Sequence, residues 1–185
     1  MKICIVSDSH DNRFLLKAAA QDAVSRGAQC ILHCGDVVAP TTLRALISLD
    51  IPVHVIHGNN TGDLYNMSQL ASDEQNKIHY YGQDANIELD GKRIFLVHYP
   101  HYAQAMSLTG DYDLVCCGHD HRAEIKSVTT ISGGAATLVN PGTVGGVGKA
   151  PTYVMADLAT FEFEIISVPI AENLAYNTPQ VTPHK

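Results

Sequence analysis

Five short segments end an apolar run with side chains that can hold a metal: SDSH (Asp8, His10), CGD (Asp36), HGNN (Asn59, Asn60), LVHYPH (His98) and CGHDH (His119, His121). Their donor atoms are carboxylate oxygens, imidazole nitrogens and amide oxygens. That mixture suits borderline divalent ions such as Mn, Fe, Co, Ni or Zn, and is too rich in nitrogen for a Ca or Mg cage. Some seven such ligands exceed what one Zn ion takes, and match two ions that share a carboxylate. Taken singly, each motif is weak. Asp8 and Asp36 alone read as helix N-caps after strands, and His98, His119 and His121 as hydrogen-bonded core or rim residues. The ordered set of five reverses that balance. Ten histidines in the chain also exceed what packing needs, and point to metal chemistry or titration.

Bringing these segments together takes strands whose ends converge. KICIVSD, CILHCGD and IPVHVIHGNN read as buried strands. Between them, DNRFLLKAAAQDAVSRGA has helical spacing with Gly27 as its stop, and TTLRALISLD reads as a helix entered through Pro40 with the Thr pair as N-caps. Strand, helix, strand, helix, strand implies parallel βαβ units with right-handed crossovers. In such a sheet, ligands sit outside the carboxyl ends of the strands. DLYNMSQLASDEQ reads as a short helix or lid, and HYAQAMSLTG as a third helix. Asp90-Gly91 marks a hairpin, YDLVCCGHDH is another buried strand, and short strands with turns follow. PTYVMADLATFEFEIISV reads as a closing strand pair. The pattern predicts an α/β fold, a four-layer α/β/β/α sandwich with two mixed β-sheets. Its boundaries are one domain over 1–170 and a polar, loosely ordered tail over 171–185.

Composition sets outer limits. Twelve Lys and Arg against nineteen Asp and Glu give a net charge of −7. This argues against binding to a nucleic-acid backbone or through a polybasic membrane anchor. No run approaches the length of a membrane span, and the N-terminal residues do not read as a signal peptide. Cys4, Cys30, Cys34, Cys116 and Cys117 are odd in number and have no CxxC spacing. They read as buried free thiols in a reducing cytoplasm, so a cytoplasmic location is expected. The composition leaves a homo-oligomer open.

D-x-H, G-D, G-N, H and G-H-x-H, in this order after successive strands, resemble the calcineurin-like metallophosphoesterase superfamily, and the NPGTVG segment and short length resemble its small YfcE-like phosphodiesterase branch. The resemblance runs from residue 1 to the 160s. It implies that Asp8, His10 and His121 hold one divalent ion, that Asn59, His98 and His119 hold a second, and that Asp36 bridges them. Manganese is the first expectation, with Ni, Co, Zn or Fe as alternatives. It further implies hydrolysis of a small phosphate ester, most often a diester, by in-line attack of a hydroxide bridging the two ions, with Asp36, Asn59 and His98 as catalytic residues. Alternatives within the superfamily are a phosphomonoesterase or nucleotide hydrolase, and a metal-free protein-interaction scaffold such as a retromer subunit of this fold.

Two departures from the family pattern stand out. HYPH replaces an H-G-H, which moves the next histidine to His101. Asn60 stands where relatives reading G-N-H carry a histidine, and an amide cannot act as an acid. His33 reads as a residue that orients a ligand or merely packs, while His54, His79 and His184 read as structural or solvated. Tyr99 and Tyr102 line a cleft or pack. Gly142, Gly145, Gly146 and Gly148 do not fit a nucleotide-binding loop, and read as a flexible connection with backbone N–H groups to offer a phosphate.

Overall fold

The computed structural model describes residues 1–170; the expected tail, with His184, lies outside the described residues. The chain starts with β1 (Lys2–Val6), buried from Ile3 onward. Asn12 caps α1 (Arg13–Ser25) by accepting from the Leu15 amide, and the helix buries Leu16, Ala19, Ala20 and Ala23 along one face. β2 (Ile31–His33), α2 (Pro40–Ile47), β3 (Val53–Val55), α3 (Leu64–Ser72) and β4 (Ile78–Tyr80) follow. The segment read as a helix or lid is therefore the helix α3. β1 to β4 are parallel neighbours, as the alternating pattern predicts.

β5 (Asp84–Leu89) and β6 (Lys92–Val97) form the expected hairpin. Asp90 and Gly91 both have positive φ, 52° and 72°, the geometry of a two-residue turn that matches the twist of its strands. Then come α4 (Pro100–Thr109), β7 (Leu114–Cys116), β8 (Ala123–Thr129), β9 (Ala135–Pro141), β10 (Thr152–Asp157) and β11 (Glu162–Ser167). One sheet has the order β11-β10-β1-β2-β3-β4, the other β5-β6-β7-β9-β8. Both are mixed: β10 runs antiparallel to β1, and β6, β7 and β9 are parallel. The final hairpin thus returns to the first sheet.

Three apolar layers define the sandwich. Ile3, Ile5, Leu32, Ile94, Leu96 and Leu114 fill the space between the sheets. Leu16, Leu43, Leu46 and Tyr153 belong to the layer that packs α1 to α3 on the first sheet. Ala103 on α4 meets Val115, Val128 and Leu138 on the second. This is the expected four-layer α/β/β/α arrangement. All five cysteines are buried and unpaired. Among the described residues no helix is long and apolar enough to cross a membrane.

The start of α2 differs from expectation. Its N-cap is Ala39, which has no side chain to offer, and the Thr pair lies inside the helix after Pro40 at the first position. Asp11 caps it instead, from the loop after β1: its Oδ1 accepts from the Ala39 amide at 2.8 Å and from the Thr42 hydroxyl at 2.8 Å. The tie locks the D-x-H loop against the loop that carries Asp36.

Candidate metal centre

The loops after β1, β2, β3, β6 and β7 meet at one end of the sandwich. They bring together all seven side chains that the sequence singled out. Asp8, with no exposed surface, and Asp36, 2% exposed, lie at the bottom. On one side, Asp8 Oδ1 is 3.3 Å from His121 Nε2 and 3.7 Å from His10 Nε2, and the two ring nitrogens are 3.1 Å apart. On the other, Asp36 Oδ1 is 3.3 Å from His98 Nε2. Asn59 Oδ1 is 3.1 Å from His98 Nε2 and 2.8 Å from His119 Nδ1. Asp36 faces both sides, since its Oδ2 is 3.8 Å from His10 Nε2.

Proton accounting shows what these contacts lack. His98 Nδ1–H donates to the Cys34 carbonyl at 2.8 Å, and His121 Nδ1–H donates to the Val147 carbonyl at 2.7 Å. In a neutral imidazole the other nitrogen is then a bare acceptor. His98 Nε2 against Asp36 Oδ1, and His121 Nε2 against Asp8 Oδ1, therefore pair lone pair with lone pair. Asp8 Oδ1 is also fully buried without a hydrogen-bond partner, which is costly for a carboxylate oxygen. A cation relieves each contact. Ligand atoms about 2.0–2.2 Å from a divalent ion stand about 3.3 Å from one another in a tetrahedral shell, close to the spacings seen here. The donor set and its geometry fit divalent metal.

Charge follows the same logic. Burial pushes the Asp8 carboxyl up, but the neighbouring imidazoles and the His119 amide outweigh it and hold the group below the usual carboxylate range. His10 is raised above the ordinary imidazole value, chiefly by its contact with Asp8.

The backbone is bent to reach this arrangement. Asp8, His10, Asp36, His119 and His121 have φ of 53°, 42°, 54°, 76° and 57°, and their neighbours Asp11 and Val38 have 61° and 75°. Left-handed conformations of residues other than glycine cost free energy, and cluster where the surrounding structure fixes a functional geometry. The glycines beside the ligands act mainly by making room. A Cβ on Gly118 would collide with Ser7 Oγ and Asp8 Oδ2, and one on Gly58 with Asp36 Oδ1 and His98. Of Gly35, Gly58 and Gly118, each of which directly precedes a candidate ligand, only Gly35 has positive φ, at 103°.

Four positioning residues complete the site. His33 is fully buried; its Nδ1 accepts from the Gly35 amide and its Nε2 meets Ser9 Oγ at 3.0 Å, so it braces the loops that carry Asp36 and Asp8. Asn60 grips Asp36, its amide N–H donating to Oδ1 at 2.9 Å and its Nδ2 to Oδ2 at 2.5 Å. Asn140 Nδ2 donates to the Gly118 carbonyl at 2.9 Å and to Asp120 Oδ1 at 2.7 Å, which staples the G-H-D-H loop. Thr143 Oγ1 donates to the Asp8 carbonyl at 2.8 Å. Asn140 and Thr143 lie in the NPGT stretch, the one sequence signal for their roles.

That stretch also corrects the flexible-loop expectation. Thr143 and Val144 are fully buried, and the amides of Val144 and Gly145 donate to the Ser7 and Asp8 carbonyls. Those N–H groups are not free for a phosphate. His101 stands apart on α4, exposed and packed against Tyr102, with ring centroids 4.2 Å apart and planes tilted by 45°.

A two-sheet α/β sandwich with carboxylates and imidazoles gathered at its strand ends defines a phosphoesterase class: the chain belongs to the calcineurin-like phosphoesterase superfamily, whose domain matches residues 1–160. It is similar to phosphodiesterase MJ0936 of Methanocaldococcus jannaschii, 26% identical over 172 residues that cover 90% of this chain and 98% of that protein. A solved structure characterised as a novel archaeal phosphodiesterase superposes with a TM-score of 0.80 at 25% identity, covering 90% of this chain and 99% of the other. The calcineurin-like superfamily read from the sequence holds. The YfcE phosphoesterase from E. coli shares the fold with a TM-score of 0.61 at 19% identity, over 91% of this chain and all of that one. Vps29 from Entamoeba histolytica shares it at 0.56 and 18%, over 90% and 99% of the two chains.

Proposed function

We propose that the chain is a metal-dependent phosphodiesterase acting on a small phosphate ester, with Asp8, His10 and His121 holding one divalent ion, Asn59, His98 and His119 a second, and Asp36 shared between them. The observation that carries this reading is Asp36: a buried carboxylate whose two oxygens face two separate histidine clusters. The similarity to phosphodiesterase MJ0936 supports the diester class. Manganese is the first candidate, with Ni, Co, Zn and Fe as alternatives that the same nitrogen and oxygen donors accept.

Two such ions would act as Lewis acids, lowering the pKa of a coordinated water and neutralising phosphate oxygens. The chain's own residues do the positioning. The Cys34 and Val147 carbonyls fix the tautomers of His98 and His121 so that Nε2 faces inward. Asn60 fixes the plane of the Asp36 carboxylate. Held in this way, the groups need little reorganisation during reaction, which is the main source of electrostatic catalysis. Asn60 cannot donate an acidic proton, so an ester with a weakly basic leaving group suits this site.

The test combines elemental analysis with hydrolysis of bis-p-nitrophenyl phosphate, before and after chelation and after adding back Mn, Ni, Co, Zn or Mg. About two equivalents of transition metal per chain and activity restored by metal are expected. A well-folded chain that binds less than about one equivalent and hydrolyses nothing would instead match the metal-free scaffold reading.

A further inference from the structure

Among the described residues, two buried side-chain polar atoms have no hydrogen-bond partner, and they belong to adjacent residues: Ser7 Oγ and Asp8 Oδ1. The candidate metal centre accounts for the carboxylate oxygen. The hydroxyl has no part in the mechanism above. Ser7 has no exposed surface, which puts its hydroxyl out of reach of bulk water. A buried hydroxyl without a partner is destabilising, so its presence beside a candidate ligand calls for a reason.

The surroundings of Ser7 supply one. The backbone here is pinned: the Ser7 carbonyl accepts from the Val144 amide at 2.9 Å, the Asp8 amide donates to the Gly35 carbonyl at 3.0 Å, and the Asp8 carbonyl accepts from Thr143 Oγ1 at 2.8 Å. In an extended strand, neighbouring side chains point to opposite faces. The left-handed φ of 53° at Asp8 breaks that alternation. As a result Ser7 Oγ and Asp8 Oδ2 crowd the same point of the next loop, where a Cβ on Gly118 would collide with both. Burial pushes the Asp8 carboxyl up, and the Ser7 hydroxyl is one of the groups, after His10, that draw it back down. The two carboxylate oxygens have different surroundings. Oδ1 faces His121 Nε2 at 3.3 Å and His10 Nε2 at 3.7 Å, whereas Oδ2 accepts from the His119 amide at 3.0 Å. That amide is one donor for an oxygen with two lone pairs.

We infer that Ser7 is a positioning residue for Asp8, its hydroxyl donating to Oδ2 when Oδ1 holds the divalent ion shared with His10 and His121, an inference that rests on the metal-centre reading above. Two donors on Oδ2, the Ser7 hydroxyl and the His119 amide, fix the plane of the carboxylate and aim Oδ1 at the ion. The hydroxyl then serves metal binding and not the fold. Removing it should separate the two, unlike the loss of a residue that staples a loop.

The experiment compares wild type with Ser7→Ala, which deletes the hydroxyl without adding volume beside Gly118. Chelated and dialysed samples are titrated with Mn²⁺ by calorimetry, their Tm is measured, and the visible absorption of their Co²⁺ forms is recorded. Partners behind a metal ligand change affinity by about 10–100-fold, so one of the two Mn²⁺ binding steps should weaken at least about ten-fold while the other moves by less than about three-fold. The Tm of the chelated variant should equal or exceed that of wild type, and the Co²⁺ ligand-field bands should shift. Unchanged Mn²⁺ affinity, an equal loss at both steps, or unshifted Co²⁺ bands overturns the inference. So does a fall in Tm of more than about 4 °C, the mark of a structural hydrogen bond. A wild type that takes up two ions beside a variant that binds them equally well refutes the role of Ser7 alone. A wild type that binds no Mn²⁺ refutes the metal-centre reading, and this inference falls with it.

Discussion

Asn140 touches none of the seven candidate ligands, yet its loss should damage both fold and site. The side chain is 5% exposed and satisfies three hydrogen bonds: to the Gly118 carbonyl, to the Asp120 carboxylate and from the Gly142 amide. Asn140→Ala removes all of them. A neutral hydrogen bond contributes about 1 kcal/mol net and one to a charged group about 1.5–3 kcal/mol, so the expected loss is about 3–5 kcal/mol. For a chain of this size each kcal/mol lowers Tm by about 2–4 °C, which gives a fall of at least about 6 °C. Asn140→Asp separates hydrogen bonding from side-chain volume. It keeps the acceptor for Gly142 but sets a carboxylate against the Gly118 carbonyl and Asp120, so it should be no better than alanine. The assay is differential scanning calorimetry of the three proteins, with metal content measured on the same samples. Because His119 and His121 ride on the stapled loop, metal retention should fall along with Tm. A Tm within about 2 °C of wild type for Asn140→Ala, less than one neutral hydrogen bond is worth, would refute the staple.

Asp36→Asn keeps shape but removes the shared charge, and should lower hydrolysis of bis-p-nitrophenyl phosphate at saturating metal by well over ten-fold with little change in Tm; retention of more than about a tenth of turnover, ~1.4 kcal/mol of barrier, means the bridge lies elsewhere. Because Asn60 offers no acidic proton, rates across aryl phosphodiesters should fall steeply as leaving-group pKa rises; a flat dependence with chemistry rate-limiting means that some other group donates. Burial holds His33 down at about 4 against an ordinary 6.5. The unfolded chain therefore takes up a proton that the folded one refuses, so stability is full above about 6.5 and falls as pH drops toward 4, by up to about 3 kcal/mol from this residue. His33→Gln should flatten that slope in urea titrations between neutral and mildly acidic pH, and an unchanged slope would rule His33 out as its source.

What the sequence revealed was whatever local pattern encodes. Runs such as KICIVSD and CILHCGD hold unbroken apolar stretches, Ile3–Val6 and Cys30–Leu32, because these strands are buried on both faces, and the positive φ of Asp90 and Gly91 follows from what a two-residue hairpin demands. The candidate ligands are legible because chemistry limits which side chains can hold a metal. What stayed hidden was set by tertiary contact. α2 is capped from another loop, by Asp11, so the local pattern of capping threonines points to residues that lie inside the helix. The glycine-rich segment after Pro141 reads as a flexible connection only until β1 and its loop are beside it; then Gly145 donates to the Asp8 carbonyl, and a Cβ there would collide with the Ser9 carbonyl. The left-handed φ values of five candidate ligands fall on Asp and His, which enter that region several-fold more often than other residues besides glycine, yet nothing in their spacing marks it. That last gap has a physical reading. A loop free to choose would place glycine at such angles. This chain keeps Asp and His there, and Asn140, Thr143 and His33 hold the strained backbone from outside the loops.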